Sequence, residues 1–378
     1  MDPLLMIPGP TILPREVRQA LSEPSLYHRG EAFAEVLDEC TRGLQSLFGS
    51  AQPALILTSS GTGAVEAVIV NLLSPGDRVL AVNGGKFGER MGQIAAAFGA
   101  VVDFLEVPPG QAANPEVVRQ RMSGGDYRAL LFVLNETSTG VQQDAAALAE
   151  AAGHTGALVI ADCVSAIAGM PIELDDTGLT AAAAGSQKAL MLPPGLAFAC
   201  LSERGWQAAE QARMPRFYSD LPKALASLQK GQTPYTPNVN LILALQASLR
   251  LIESEGLPHF QDRHRRMARA CRAAARVAGL RLLAEDDCAS DIVTAVVSPE
   301  GLDSGTLVKA LREKHNIIIS GGQDALKGKI FRVGHLGAAQ VSDLLRTWEA
   351  VGRELGELGH CCDVEAVLTE LEDAYHGL

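Results

Sequence analysis

Leu158-Val159-Ile160-Ala161-Asp162 is an unbroken apolar run closed by a carboxylate. A strand with one wet face alternates apolar and polar residues, whereas an unbroken run signals a strand covered on both faces. The runs around it have the same character: Ala54–Thr58, Arg78–Val82, Val101–Val107, Ala129–Leu134, Ala181–Gly185 and Leu196–Leu201. Between them lie helical patterns at Ala64–Leu73, Phe87–Phe98, Pro115–Met122 and Asp144–Ala152. Strand and helix in alternation predict an α/β fold with a doubly wound, mostly parallel sheet of seven strands. Right-handed crossovers then gather the strand C-terminal ends along one edge, where ligands bind.

Beyond this block the pattern changes. A helix over Asn240–Glu255 stops at Gly256-Leu257-Pro258, and an Arg/Ala-rich helix covers His259–Ala278. A smaller α+β unit follows: strand Ile292–Val297, helix Ser304–His315, strands Ile317–Ser320 and Ile330–Val333, then helices. At 378 residues the chain exceeds one ordinary core, so a second, C-terminal domain is expected. The net charge of −12 argues against nucleic acid or an anionic membrane surface as partner. Seven cysteines show no C-x-x-C pair and no metal-ligand spacing, which fits reduced thiols, no metal site and a cytoplasmic location. The first residues lack the basic region of a signal peptide, and no apolar run is long enough to span a bilayer.

Three segments carry chemistry. Thr58-Ser59-Ser60-Gly61-Thr62-Gly63 lies between a strand and a helix, where glycines, hydroxyls and a helix N-terminus can cradle a phosphate. Such turns also cap helices for structural reasons alone. Asp162 ends its strand at the ligand edge. A buried carboxylate needs a partner such as a protonated pyridine nitrogen, or else it caps the following turn. Lys188, one of eight lysines, stands in Gly185-Ser186-Gln187-Lys188 at the end of a small-residue strand. Loss of hydration there lowers an amine's pKa and favours imine formation, while the ordinary alternative is a snorkelling surface lysine. Further on, Arg332 sits inside the apolar strand Ile330–Val333, where its planar fork suits a carboxylate, either of a ligand or of the protein itself.

The order Ser-Gly-Thr, then Asp, then Ser-Gln-Lys resembles the class V, fold type I aminotransferases that use pyridoxal 5'-phosphate, specifically the alanine/serine–glyoxylate branch. The resemblance runs from Pro8-Gly9-Pro10-Thr11 to Phe331–Gly337. It implies that Ser60, Gly61, Thr62 and Gln187 hold the cofactor phosphate, and that Phe87 and Val164 flank the ring. It further implies that Asp162 meets the ring nitrogen and that Lys188 carries the cofactor as a Schiff base. Within Asn135-Glu136-Thr137-Ser138-Thr139-Gly140, Thr137 takes the ring oxygen, with Thr139 as the competing position. Thr236 resembles a phosphate ligand given by a partner subunit, so the active sites are shared in a homodimer. Arg332 grips the substrate carboxylate.

The same resemblance implies three units: an N-terminal segment near the active site (1–20), a large cofactor-binding domain (21–256) and a small C-terminal domain (257–378). The expected reaction moves the amino group of alanine or serine to glyoxylate or pyruvate by a ping-pong mechanism, with Lys188 and Asp162 as catalytic residues. Alternatives on this fold are an (S)-ureidoglycine–glyoxylate aminotransferase and a lyase or cysteine desulfurase. The desulfurase requires a cysteine facing the cofactor, and residues 320–328 contain none.

Overall fold

The computed structural model describes residues 2–377. Its centre is one seven-stranded sheet, and its strands are Leu55–Leu57 (β1), Arg78–Asn83 (β2), Val101–Glu106 (β3), Ala129–Val133 (β4), Leu158–Asp162 (β5), Ala181–Gly185 (β6) and Ala197–Leu201 (β7). The spatial order is β1-β7-β6-β5-β4-β2-β3. All pairings are parallel except those of β7, which runs antiparallel to both β1 and β6. A parallel return needs a crossover of a dozen or more residues, usually helical. Residues 186–196 are too few and include Pro193-Pro194, so β7 has to reverse.

Both faces of the sheet are buried, and the side-chain alternation shows it. Leu130, Phe132, Val159 and Ala161 join one apolar cluster, while Leu131, Leu158 and Ile160 join the other. Fully buried aromatic and aliphatic side chains of this kind contribute about 1.5–3 kcal/mol each by leaving water. Strand β6, four alanines and a glycine, serves a different end. Its small side chains let the helix Gly61–Leu72 approach, so closely that a Cβ on Gly185 would lie 3.1 Å from the Gly61 Cα. That contact brings the helix N-terminus to the C-terminal edge of the sheet.

A second sheet comprises Val293–Val297 (β8), Ser320–Gly321 (β9) and Ile330–Gly334 (β10), in the order β8-β10-β9. The expected strand 317–320 is in fact split. Ile317–Ile318 pairs in parallel with Leu4–Leu5, while Ser320–Gly321 pairs with β10. A third apolar cluster, with Phe331, Val333 and Trp348 at its heart, therefore also contains Leu4 and Met6 from the chain start.

Two helix boundaries differ from expectation for local reasons. The first sheet helix starts at Gly61 because the Ser60 side chain caps it. The second long helix runs Leu257–Val277, because Pro258 occupies its first turn, where its missing N–H is not needed. Gly256, at φ 84°, makes the corner between the two helices. Helices Arg15–Leu21, Glu31–Phe48, Glu203–Gln211 and Leu221–Leu228 lie outside the strand–helix alternation and were not expected. No helix among the described residues is long and apolar enough to cross a membrane.

Candidate active site

A cavity opens at the C-terminal ends of β4, β5 and β6, walled by the N-terminal turns of helices Gly61–Leu72 and Lys86–Ala97. Ser60, Gly61, Thr62, Phe87, Thr137, Asp162, Val164, Gln187 and Lys188, all singled out from the sequence, line it together. Arg332 and Thr236 are not among its lining residues.

Asp162 is the last residue of β5, and its carboxyl is buried. Its Oδ1 accepts the Val164 N–H at 2.8 Å, so it does cap the next turn. That one bond does not neutralise it, and no ion pair forms with it among the described residues. Burial pushes its carboxyl up to about 6, the Glu136 charge adds to this, and the Val164 N–H, Lys188 and Arg90 oppose it.

Lys188 lies just past β6 with 9% of its surface exposed, which excludes a snorkelling role. Its Nζ donates to the Pro8 carbonyl at 2.5 Å, and its own carbonyl accepts from the Thr11 hydroxyl at 2.9 Å. The Pro8–Thr11 segment is thus folded against the lysine. Burial draws the amine down to about 8; Asp162 resists this and Arg332 reinforces it. A low-pKa, desolvated amine is a competent nucleophile near neutral pH.

At the other end of the cavity Ser60 Oγ accepts the Gly63 N–H at 3.3 Å. The capping and anion-binding readings of this turn coexist, since a capped helix start still presents its remaining N–H groups and positive dipole end. Gly61 is fixed by space: a Cβ there would lie 2.7 Å from a Val164 methyl. Gln187 Oε1 and Asn135 Oδ1 are buried and lack any hydrogen-bond partner. Both belong to residues that line the cavity, where a polar ligand would satisfy them.

The two candidate threonines are placed differently. Thr137 lines the cavity, whereas Thr139 Oγ1 turns to the carbonyls of Gly84 and Glu136. Arg332 has no carboxylate partner among the described residues, so the intramolecular salt bridge does not form. Its guanidinium instead donates from Nε and Nη2 to the Gly321 carbonyl and from Nη1 to the Thr137 carbonyl. These acceptors orient a cation without cancelling its charge. Thr236 is exposed and sits in a loop whose neighbour Tyr235 stacks on Tyr218. Arg29, next to His28, donates to Gln232 and Thr233 in the same loop. Lys86 is paired with Glu89 and Asp324.

Four site residues had not been singled out by sequence reasoning. Asn135 and Ser165 line the cavity and bond to one another. Arg90 lines it too, and its guanidinium lies 4.9 Å from the Phe87 ring centroid. The i, i+3 spacing from Phe87 puts Arg90 on the same helix face, a signal available in the sequence. The fourth is Glu136, buried beside the cavity and bonded to the Phe87 helix. No cysteine lines the cavity, and burial raises the Cys163 thiol far out of the reactive range. A desulfurase therefore lacks its nucleophile here.

Together these features put the Phe87 and Val164 side chains, the helix start at 60–62, the Asp162 carboxyl and the Lys188 amine around one cavity. Residues 5–344 match the family described as Aminotransferase class-V. Among named relatives, a protein of Synechococcus sp. called soluble hydrogenase, small subunit, is 39% identical, covering 94% of each chain. An L-aspartate–glyoxylate aminotransferase of Paracoccus denitrificans is 37% identical, covering 93% of this chain and 91% of its own. A serine–glyoxylate aminotransferase of Methylorubrum extorquens is 34% identical over 90% and 88%. The solved ureidoglycine–glyoxylate aminotransferase of Bacillus subtilis superposes with a TM-score of 0.95 at 28% identity, covering 100% and 98%. An alanine–glyoxylate aminotransferase from Nostoc sp. gives 0.91 at 30%, covering 94% and 96%.

Proposed function

The chain belongs to the class V aminotransferase family, and from that premise we propose that it uses pyridoxal 5'-phosphate to move an amino group from alanine or serine to glyoxylate or pyruvate. The observation that carries the reading is the pair Asp162 and Lys188, two buried titratable groups facing one cavity with their pKa values drawn toward each other. Groups perturbed by burial and by one another in a single cleft support a functional site there.

Bound there, the cofactor would supply an electron sink for the donor's Cα carbanion and a carrier for its nitrogen. Ser60, Gly61, Thr62 and Gln187 would hold its phosphate, Phe87 and Val164 its ring faces, and Thr137 its ring oxygen. Asp162 would keep the ring nitrogen protonated. Lys188 would hold it through its amine, and the same amine would serve as the base for the donor's Cα proton. Arg332 would fix the donor carboxylate through its unused N–H groups and so orient the Cα–H bond. Thr236 is exposed in its own subunit, which favours donation to a second copy in a homodimer with shared sites. We assign residues 21–256 to cofactor binding, 257–378 to a smaller domain that brings Arg332, and 1–20 to a segment near the active site. The cysteines, all free among the described residues, support a cytoplasmic enzyme.

The test is an ultraviolet–visible spectrum of the purified protein, taken before and after alanine and again after glyoxylate. A yellow band that bleaches with alanine and returns with glyoxylate is expected. A response to serine or another amine instead of alanine moves the donor, and an (S)-ureidoglycine response selects that branch. No band after incubation with pyridoxal phosphate rejects the reading.

A further inference from the structure

Resting on the reading above, we propose that Glu136 is a positioning residue that locks the Phe87 wall of the cofactor cavity to the segment carrying Thr137. Glu136 is 2% exposed, and its carboxylate receives four hydrogen bonds from two separate parts of the chain. Oε2 accepts the N–H of Phe87 at 2.9 Å and of Gly88 at 3.0 Å. Oε1 accepts the Ser138 N–H at 3.1 Å and the Ser138 hydroxyl at 2.5 Å. Ser138 Oγ in turn accepts the Lys86 N–H at 3.0 Å.

The first three N–H groups of the helix Lys86–Ala97 are therefore all satisfied by residues 136 and 138. The helix has no side-chain cap of its own, since its N-cap is Gly85. Gly85 has to be glycine for this arrangement: a Cβ would stand 2.7 Å from Glu136 Cγ. An imported anion at a helix N-terminus is favoured both by the free N–H groups and by the dipole. It also fixes where that helix begins, and hence where Phe87 projects.

The other side of the clamp leads into the same cavity. Thr137 lies between the two clamping residues and lines the cavity. Its carbonyl accepts Arg332 Nη1 at 2.9 Å. One carboxylate thus ties a proposed ring wall, a proposed ring-oxygen ligand and the proposed substrate clamp into a single unit. A residue that only stabilised the fold would not make the effect of its removal depend on Phe87.

That dependence is measurable with a double-mutant cycle on the holoenzyme. Pyridoxal phosphate dissociation constants are measured by fluorescence for wild type, Glu136→Gln, Phe87→Ala and the double variant. Glutamine keeps the volume but turns an NH2 toward two of the donors, leaving them unpaired. In the wild-type background Glu136→Gln is expected to weaken binding about tenfold, the scale of one lost bond to a charged group. In the Phe87→Ala background the same change is expected to be less than about twofold, because nothing remains to be positioned. Equal weakening in both backgrounds, or no weakening in the first, overturns the proposal. If Glu136→Gln does not fold, Ser138→Ala removes one donor and leaves the carboxylate, and the same cycle is read with it. A wild-type protein that binds no pyridoxal phosphate rejects the functional reading, an outcome distinct from intact binding without coupling.

Discussion

Asp162→Asn should stabilise the cofactor-free protein while disabling it. The buried carboxyl of Asp162 titrates at about 6 against an ordinary 3.8, chiefly because of burial. The folded state consequently holds this proton more tightly than the unfolded chain does. Below pH 3.8 both states are protonated and the side chain brings no charge penalty. Between pH 3.8, where the unfolded chain ionises, and about 6, where the folded state does, stability falls, and above that it stays level. The difference in pKa corresponds to about 1.5 kcal/mol at about pH 5 and about 3 kcal/mol at about pH 8. Asparagine keeps the acceptor for the Val164 N–H, so the turn beside it survives. Lys188 loses a compensating charge in the variant, which trims the gain. Urea denaturation of wild type and variant without cofactor, at about pH 5, 6.5 and 8, reads this directly. A gain that widens with pH is expected, together with loss of transamination. No gain at about pH 8, or a gain of the same size at every pH, would refute the assignment of a strained, ionised Asp162.

Lys188→Ala should abolish transamination while circular dichroism shows an intact fold; full activity would remove Lys188 from the mechanism. Gly61→Ala forces a Cβ into the Val164 methyls, and overpacking of about 1–3 kcal/mol should raise the pyridoxal phosphate dissociation constant about tenfold by fluorescence titration. An unchanged constant would mean that Val164 is not a wall of the bound state. Arg332→Lys replaces a planar fork with a point charge, so the donor KM should rise at least about tenfold in steady-state kinetics. A rise in KM for the acceptor alone would place the arginine elsewhere in the cycle.

The sheet was legible because strands buried on both faces cannot hide their composition: Leu158–Asp162 and Ala181–Gly185 fall on the expected residues. The reversal of β7 was not read from the sequence, since the run Leu196–Leu201 alone carries no direction. Pro258 misled because the same residue that stops one helix also opens the next. The split at 317–321 could not be foreseen, since Ile317–Ile318 takes its partner from Leu4–Leu5 at the far end of the chain. In the site, residues announced by type and turn, such as Lys188 and the 60–62 cradle, converge on one cavity. Glu136 was in plain view, yet its function comes from donors that lie some fifty residues away, and no local pattern records that. Arg332 was expected to meet a carboxylate; the protein offers it two carbonyls, a contact invisible in sequence because every residue has one.

The pairing of Leu4–Leu5 with Ile317–Ile318 has a consequence for the order of assembly. During synthesis the first strand of the chain emerges with nothing to pair with, and its partner leaves the ribosome only after the whole seven-stranded sheet. The Pro8 carbonyl that receives Lys188 belongs to the segment this pairing anchors. A nascent chain can therefore build its central sheet early and still present an unfinished lysine environment until residue 318 is free. Contacts so distant in sequence form slowly. The surroundings of Lys188 thus rest on a pairing between the two most distant strands of the fold.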